Sequence, residues 1–207
     1  MPICEIMGNS AMNDHDAGQG ARNREGLYLL LKVQEEHSPG VLEDLNRVAR
    51  FATATAECLG LPEYEVERVE IAGRLHNVGN LAIPQAILNK PGPLISEEWE
   101  VMRTHAEIGA RILASAPSLA DVAELVRSHH ERPDGRGYPD RLAGDEIPLG
   151  ASIIAVCAGF VAMMRRRPFS DAITVEAALA EVDKHSGTQF DPRIVDAFCE
   201  LLRLARA

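Results

Sequence analysis

The sequence predicts an all-α protein, a bundle of about eight helices, and three observations carry that expectation. From residue 41 onward apolar residues recur at i, i+3 and i+4. Alternating patterns that would mark strands are nearly absent. Prolines, and the glycines that cluster with them, punctuate the chain between the periodic segments. The 207 residues are 46% apolar but only 4% aromatic, so the core must be built from Leu, Ile, Val, Ala and Met. Length suits one domain with a short extension.

Residues 1–24 are rich in Asn, Asp, Gly and Ala and lack periodicity, which predicts a disordered or weakly ordered leader. Residues 25–40 hold a short apolar stretch, Leu27 to Val33, expected as a first helix. It is broken by Glu35-Glu36-His37-Ser38-Pro39-Gly40. The main domain is expected over 41–207. Leu42, Leu45, Val48, Ala49 and Ala52 define its first helix, closed by Gly60. Pro62 opens the next, with Val66, Val69, Ala72, Gly73 and His76 on one face. Gly79, Pro84, Pro91, Gly92 and Pro93 make residues 78–95 read as a row of turns. A helix follows from Ser96, with Glu97 and Glu98 at its positive end and Trp99, Met102, Ile108 and Leu113 along it. Leu119 to Glu131 reads as helical, 132–150 as a polar loop, and Leu149 to Arg165 as the longest apolar helix. Two amphipathic helices close the chain, near Thr174–His185 and Pro192–Ala205.

The formal charge of −10 argues against a nucleic-acid partner, which calls for a basic patch or stripe. No stretch approaches the ~20 apolar residues of a membrane span, and no signal peptide is recognisable. Cys4, Cys58, Cys157 and Cys199 form no CxxC pair and read as reduced core residues, three of them in apolar helical runs. These features together predict a cytoplasmic protein.

His76, His105, His129 and His130 are the candidate chemistry, as metal ligands. A lone helical histidine is an ordinary hydrogen-bonded residue, and His15, in the leader, reads as a solvated one. The adjacent pair His129-His130 is less common. Neighbours on a helix point about 100° apart, so both reach one site only at a helix end. Converging imidazoles would suit Zn, Fe, Mn or Ni, although spacing alone does not establish convergence.

The text around these histidines resembles the HD-GYP family of bacterial phosphodiesterases. The matching blocks are Leu75-His76-Asn77-Val78-Gly79-Asn80, Ile83-Pro84 with Ile87-Leu88-Asn89-Lys90-Pro91-Gly92, and Thr104-His105-Ala106-Glu107-Ile108-Gly109. The closest is His129-His130-Glu131-Arg132-Pro133-Asp134-Gly135-Arg136-Gly137-Tyr138-Pro139. Gly144-Asp145-Glu146-Ile147-Pro148 and Gly187-Thr188-Gln189-Phe190-Asp191-Pro192 complete the series. The resemblance implies an HD-type helical fold, a centre of two or three metal ions and hydrolysis of cyclic di-GMP.

This chain departs from the family pattern at several positions. The aspartate of the HD pair is Asn77, a neutral amide that bridges two cations poorly. The second family aspartate falls at Ala158, the family lysine at Asn80, and an upstream histidine at Asp44. Asp44 reads equally as a weak metal ligand or an exposed helix carboxylate. A family R-P-Y-R pattern reads Arg167-Pro168-Phe169-Ser170. Two divalent ions bring a charge of about +4 without the carboxylates that offset it, so one ion on the histidines is expected rather than a pair. Tyr138 and Arg167 remain as substrate-binding candidates. Gly135, Gly137, Tyr138 and Pro139 form a loop that reads either as a purely structural cap or, by the resemblance, as a contact surface for a GGDEF-type diguanylate cyclase. The expected function is therefore a degenerate HD-GYP domain, an HN-GYP variant. It would act in cyclic di-GMP signalling by protein or ligand binding, with little or no hydrolysis. The alternative is an active metal-dependent phosphohydrolase with a rearranged site, acting on cyclic di-GMP or another nucleotide. The length leaves no room for a separate sensory domain, so input is expected through ligand, metal or partner.

Overall fold

The computed structural model describes residues 19–165 and 173–205. Nine α-helices occur among them: α1 Gln19–His37, α2 Val41–Cys58, α3 Glu63–Leu75, α4 Gln85–Leu88, α5 Ser96–Ala114, α6 Ala123–Ser128, α7 Leu149–Met164, α8 Val175–Lys184 and α9 Pro192–Leu204. Extended pairing among the described residues is limited to one isolated bridge, Ser186 with Phe190.

α7 is the axis of the bundle. It is apolar all round, which requires neighbours on every side, and α2, α3, α6, α8 and α9 all pack on it. Its residues Ala151, Ile153, Ile154, Val156, Cys157 and Phe160 are fully buried. Three phenylalanines supply most of the aromatic core. Phe51 of α2 meets Phe160 of α7 and Phe198 of α9 edge-on at 5.5 and 5.8 Å, and Phe160 meets Phe198 at 5.0 Å. Edge-to-face contacts at these distances match the ring quadrupoles.

Several elements differ from their sequence expectations, each for a local reason. α1 extends from Gln19 to His37, beyond the Leu27–Val33 stretch. Ala21 to Glu25 are adequate helix formers that carry no apolar period. The chain then turns at Ser38–Gly40, where Gly40 has φ +85°. Glu35 spans this turn, accepting from Gly40 N and Leu42 N at 2.8 and 3.0 Å, so α1 supplies the N-terminal cap that α2 lacks in its own sequence. Residues 78–95 include a 3₁₀ turn, Val78–Ala82, and the four-residue α4. The segment expected as one helix over 119–131 is a 3₁₀ turn, Ala120–Val122, followed by the short α6. Cys157 and Cys199 are buried, but Cys58 at the end of α2 is exposed and so is not a core residue. Cys4, His15, Arg166 and Arg167 lie outside the described residues.

The tightest packing lies between the 3₁₀ turn and α5. A β-carbon placed on Gly79 would sit 1.9 Å from the His105 carbonyl oxygen and 2.7 Å from Gly109 N. Gly109 returns the contact, with its own β-carbon position 3.2 Å from Gly79 N. Backbone rests on backbone here, and glycine permits it. We expect Gly79→Ala to destabilise the fold by about 3 kcal/mol or more, the upper end of overpacking costs. Gly26 in α1 has open space around its β-carbon position, so Gly26→Ala should stabilise by up to about 1 kcal/mol through helix propensity. Urea midpoints of the two variants, with unchanged m-values, check both signs.

Candidate metal centre

The four histidines converge. His76 follows the last residue of α3, His105 lies inside α5, and His129 and His130 follow α6. Because α6 stops at Ser128 instead of reaching Glu131, His129 occupies its cap and His130 the following turn. The geometric problem of adjacent helical histidines is thereby removed. The rings of His129 and His130 lie 4.0 Å apart, those of His105 and His130 5.0 Å, and those of His105 and His129 5.5 Å. His76 meets His129 edge-on at 5.2 Å.

Three of the rings are held in one tautomer by backbone. His76 Nδ1 bonds the Gly73 carbonyl at 2.8 Å, His105 Nδ1 that of Met102 at 2.7 Å, and His129 Nδ1 that of Val126 at 2.7 Å. A carbonyl only accepts, so each Nδ1 carries the proton and each Nε2 presents a lone pair. This backing of an imidazole by a carbonyl is the usual outer support of a metal-ligating histidine. His105 Nε2 and His129 Nε2 are buried and have no protein partner, an arrangement that costs free energy unless something else satisfies them. One ligand atom from each of His105, His129 and His130 falls within 4.8 Å of the other two. The donor set therefore fits a divalent ion bound by three neutral imidazoles. His76 lies beside this trio rather than within it. Asp44 lies outside it as well, and its carboxylate meets Arg165 Nη1 at 3.0 Å. Ala158 is half-buried in α7 and contributes only apolar packing.

Burial shapes the protonation of the cluster. Desolvation pushes His129 and His130 well below the usual histidine range, and each is pushed further by the neighbouring rings. Desolvation also lowers His105 and holds His76 at about 4. The imidazoles are thus neutral near pH 7, the state a metal requires.

The loop after His130 closes one side of the site. Glu131 is buried and its Oε1 accepts from Asp140 N and Arg141 N at 2.6 and 3.1 Å. Desolvation raises its pKa in spite of these bonds. Gly137 rests on Glu131, where a β-carbon would lie 2.4 Å from Glu131 Cα. Gly135 takes φ +71°, and the Tyr138–Pro139 peptide is cis. Arg127 clamps Asp140 through two bonds of 2.6 and 2.8 Å. These contacts deliver Tyr138 onto the site, its ring stacked on His130 at 4.7 Å. Of the loop residues expected to face a partner, Gly137 is buried and Tyr138 is half-buried against the histidines. Sequence reasoning missed Glu131 as the loop's anchor. It also passed over Arg103 of α5, whose guanidinium lies 5.6 Å from the Tyr138 ring.

A family model described as "HD domain" matches residues 29–194. The chain belongs to the HD domain family. Its relatives place it in the HD-GYP branch. It is 43% identical over 178 residues to the cyclic di-GMP phosphodiesterase response regulator RpfG of Xanthomonas campestris, covering 85% of this chain and 47% of that protein. It is 38% identical over 180 residues to 3'3'-cGAMP-specific phosphodiesterase 2 of Vibrio cholerae, covering 86% of this chain and 34% of that one. The chain thus spans half or less of the length of these relatives. The Vibrio cholerae cyclic GMP-AMP-specific phosphodiesterase V-cGAP3 shares the fold, with a TM-score of 0.66 at 21% identity over 86% of this chain and 48% of that structure. The HD-type helical architecture expected from the sequence is therefore the one observed. No helix among the described residues is long and apolar enough to cross a membrane.

The neutral cluster makes a pH prediction for the metal-free protein. An unfolded His76 takes up a proton near its ordinary value of 6.5, whereas the folded one does so only at about 4. Its contribution to stability is complete above about pH 6.5 and falls as pH drops from there toward 4. Chemical denaturation in chelator at pH 7.5, 6 and 4.5 should show a monotonic loss. The loss should shrink in His76→Gln.

Proposed function

We propose that this chain is a metal-dependent hydrolase of the HD-GYP type whose site is rebuilt around one divalent ion, acting on a cyclic dinucleotide. The observation that carries this reading is the trio His105, His129 and His130, with two Nε2 atoms buried and without protein partners. Relatives named as cyclic di-GMP and 3'3'-cGAMP phosphodiesterases supply the substrate class.

The three histidines would hold the ion, and His76 stands beside them as a further neutral donor. A bound ion would supply Lewis acidity at a phosphoryl oxygen and lower the pKa of a water. Tyr138 covers His130 at the edge of the site and remains the substrate-binding candidate there. The carboxylates that hold a second ion in the family are replaced by Asn77 and Ala158, and Asp44 is engaged by Arg165. A single ion is accordingly the occupancy that the charge balance supports, because two close divalent ions repel strongly without bridging anions. Zn, Fe, Mn and Ni are all compatible with imidazole ligands.

The same replacements favour a second reading, in which the domain binds without turnover. It would then hold cyclic di-GMP as a receptor, or dock a GGDEF-type diguanylate cyclase on the rim that Gly135 and Pro139 provide. Arg167, the other substrate-binding candidate, lies outside the described residues.

Elemental analysis of untagged protein should give one ion per chain, and none in His129→Ala. With Mn or Fe(II) present, the wild type should linearise cyclic di-GMP or cyclic GMP-AMP. His129→Ala should lower the rate at least about 10²-fold, as expected when a metal's contribution to catalysis is removed. Metal-loaded protein that binds the nucleotide without consuming it would favour the receptor reading. Protein that binds no metal would sink the hydrolase. Restoring both carboxylates in Asn77→Asp/Ala158→Asp should raise the occupancy toward two ions and increase turnover.

A further inference from the structure

The histidine cluster does not end at Tyr138. Arg103 lies on α5, two residues before His105, with its guanidinium carbon 5.6 Å from the Tyr138 ring centroid and 6.0 Å from that of Trp99. Trp99 precedes it by one helical turn and is 45% exposed as a residue. His130, Tyr138, Arg103 and Trp99 thus form a continuous run, ring on ring and then cation between rings. It leads from the buried imidazoles to the surface. Both arginine contacts lie within the ~6 Å reach of a cation–π interaction.

Two features separate this run from an ordinary exposed helix face. In a chain with a formal charge of −10, Arg103 makes no ion pair among the described residues, and unlike Arg111, Arg136, Arg141 and Arg203, which also make none, it lies against two aromatic rings. Its guanidinium lies between aromatic faces and makes no hydrogen bond among the described residues, which leaves its N–H groups available. Trp99 is also a large apolar surface left in water at the open end of the run.

We infer that Trp99 and Arg103 form a nucleobase and phosphate platform at the mouth of the histidine site. A purine base would stack on the indole, and the Arg103 guanidinium would bond a bridging phosphate or the base edge. The inference rests on the cyclic-dinucleotide reading above and deepens it. The chemistry is the one by which aromatic rings and arginine planes hold unstacked bases. Arginine suits the position because one planar group both stacks and bonds an anion through paired donors. A lysine would keep the charge and lose the stacking.

Trp99 is the chain's only tryptophan, so its fluorescence reports on this position alone. Titrating the metal-loaded 207-residue chain with cyclic di-GMP, and separately with cyclic GMP-AMP, should quench the emission saturably. The midpoint should match the Kd from calorimetry. Trp99→Ala and Arg103→Ala should each weaken the calorimetric Kd by about tenfold to a hundredfold, the range for loss of one stacked base. Arg103→Lys should recover part of that loss. Metal content and thermal midpoint should stay at wild-type values, because both side chains are exposed. Nucleotide binding by calorimetry with unchanged fluorescence, and with wild-type affinity in both alanine variants, would overturn the platform and leave the cyclic-dinucleotide reading standing. Absence of any cyclic-dinucleotide binding to the metal-loaded wild type would overturn both.

Discussion

The backbone of Gly79 lies against α5 so closely that one added methyl group has no place there, and the rest of the site follows from that contact. His76 sits three residues before it, and the carbonyl that meets Gly79 belongs to His105. The separation of these two histidines is therefore set by main-chain packing rather than by flexible side chains. Gly137 repeats the device on the other side, resting on Glu131 and bringing Tyr138 over His130. Such backbone contacts transmit position with little slack, which a set of ligands needs if it is to meet one ion.

Charge is the second constraint. The imidazoles are buried as neutral rings, with carbonyls rather than carboxylates behind three of them. The acids of this region are engaged elsewhere in whole or in part: Asp44 with Arg165, Asp140 with Arg127, and one oxygen of Glu131 with two backbone amides, its other oxygen being buried without a protein partner. A site of this kind is electrically quiet until a cation enters. The whole positive charge of the ion would then remain for the phosphate and its oxygens to neutralise.

Much of the fold was legible in the sequence because helical periodicity and Gly–Pro punctuation reflect local physics. The bounds of α2, α3, α5, α7, α8 and α9 follow from Gly60, Pro62, Ser96, Pro148, Thr174 and Asp191. α1 was underestimated because its first turn carries no apolar period. α6 was overestimated because nothing local says that Ser128 is the last helical residue, and the clamp on its last turn, Asp140 with Arg127, comes from later in the chain. The histidines were visible as residue types, but their convergence depends on the crossing of α3, α5 and α6. Glu131 and Arg103 were passed over for the same reason. A buried carboxylate and an arginine held by rings are defined by what surrounds them, and those surroundings are distant in sequence.

The carbonyl backing of the histidines has a further consequence. Because these hydrogen bonds fix His105 and His129, two of the three rings of the trio, the pocket has little room to adapt those donors to one metal over another. Three neutral nitrogen donors follow the general order of first-row affinities, in which copper and zinc bind more tightly than iron or manganese. Nothing in the ligand set works against that order: there is no hard carboxylate for manganese and no thiolate for zinc. The identity of any ion bound there would then follow that affinity order and the metals supplied by the surroundings.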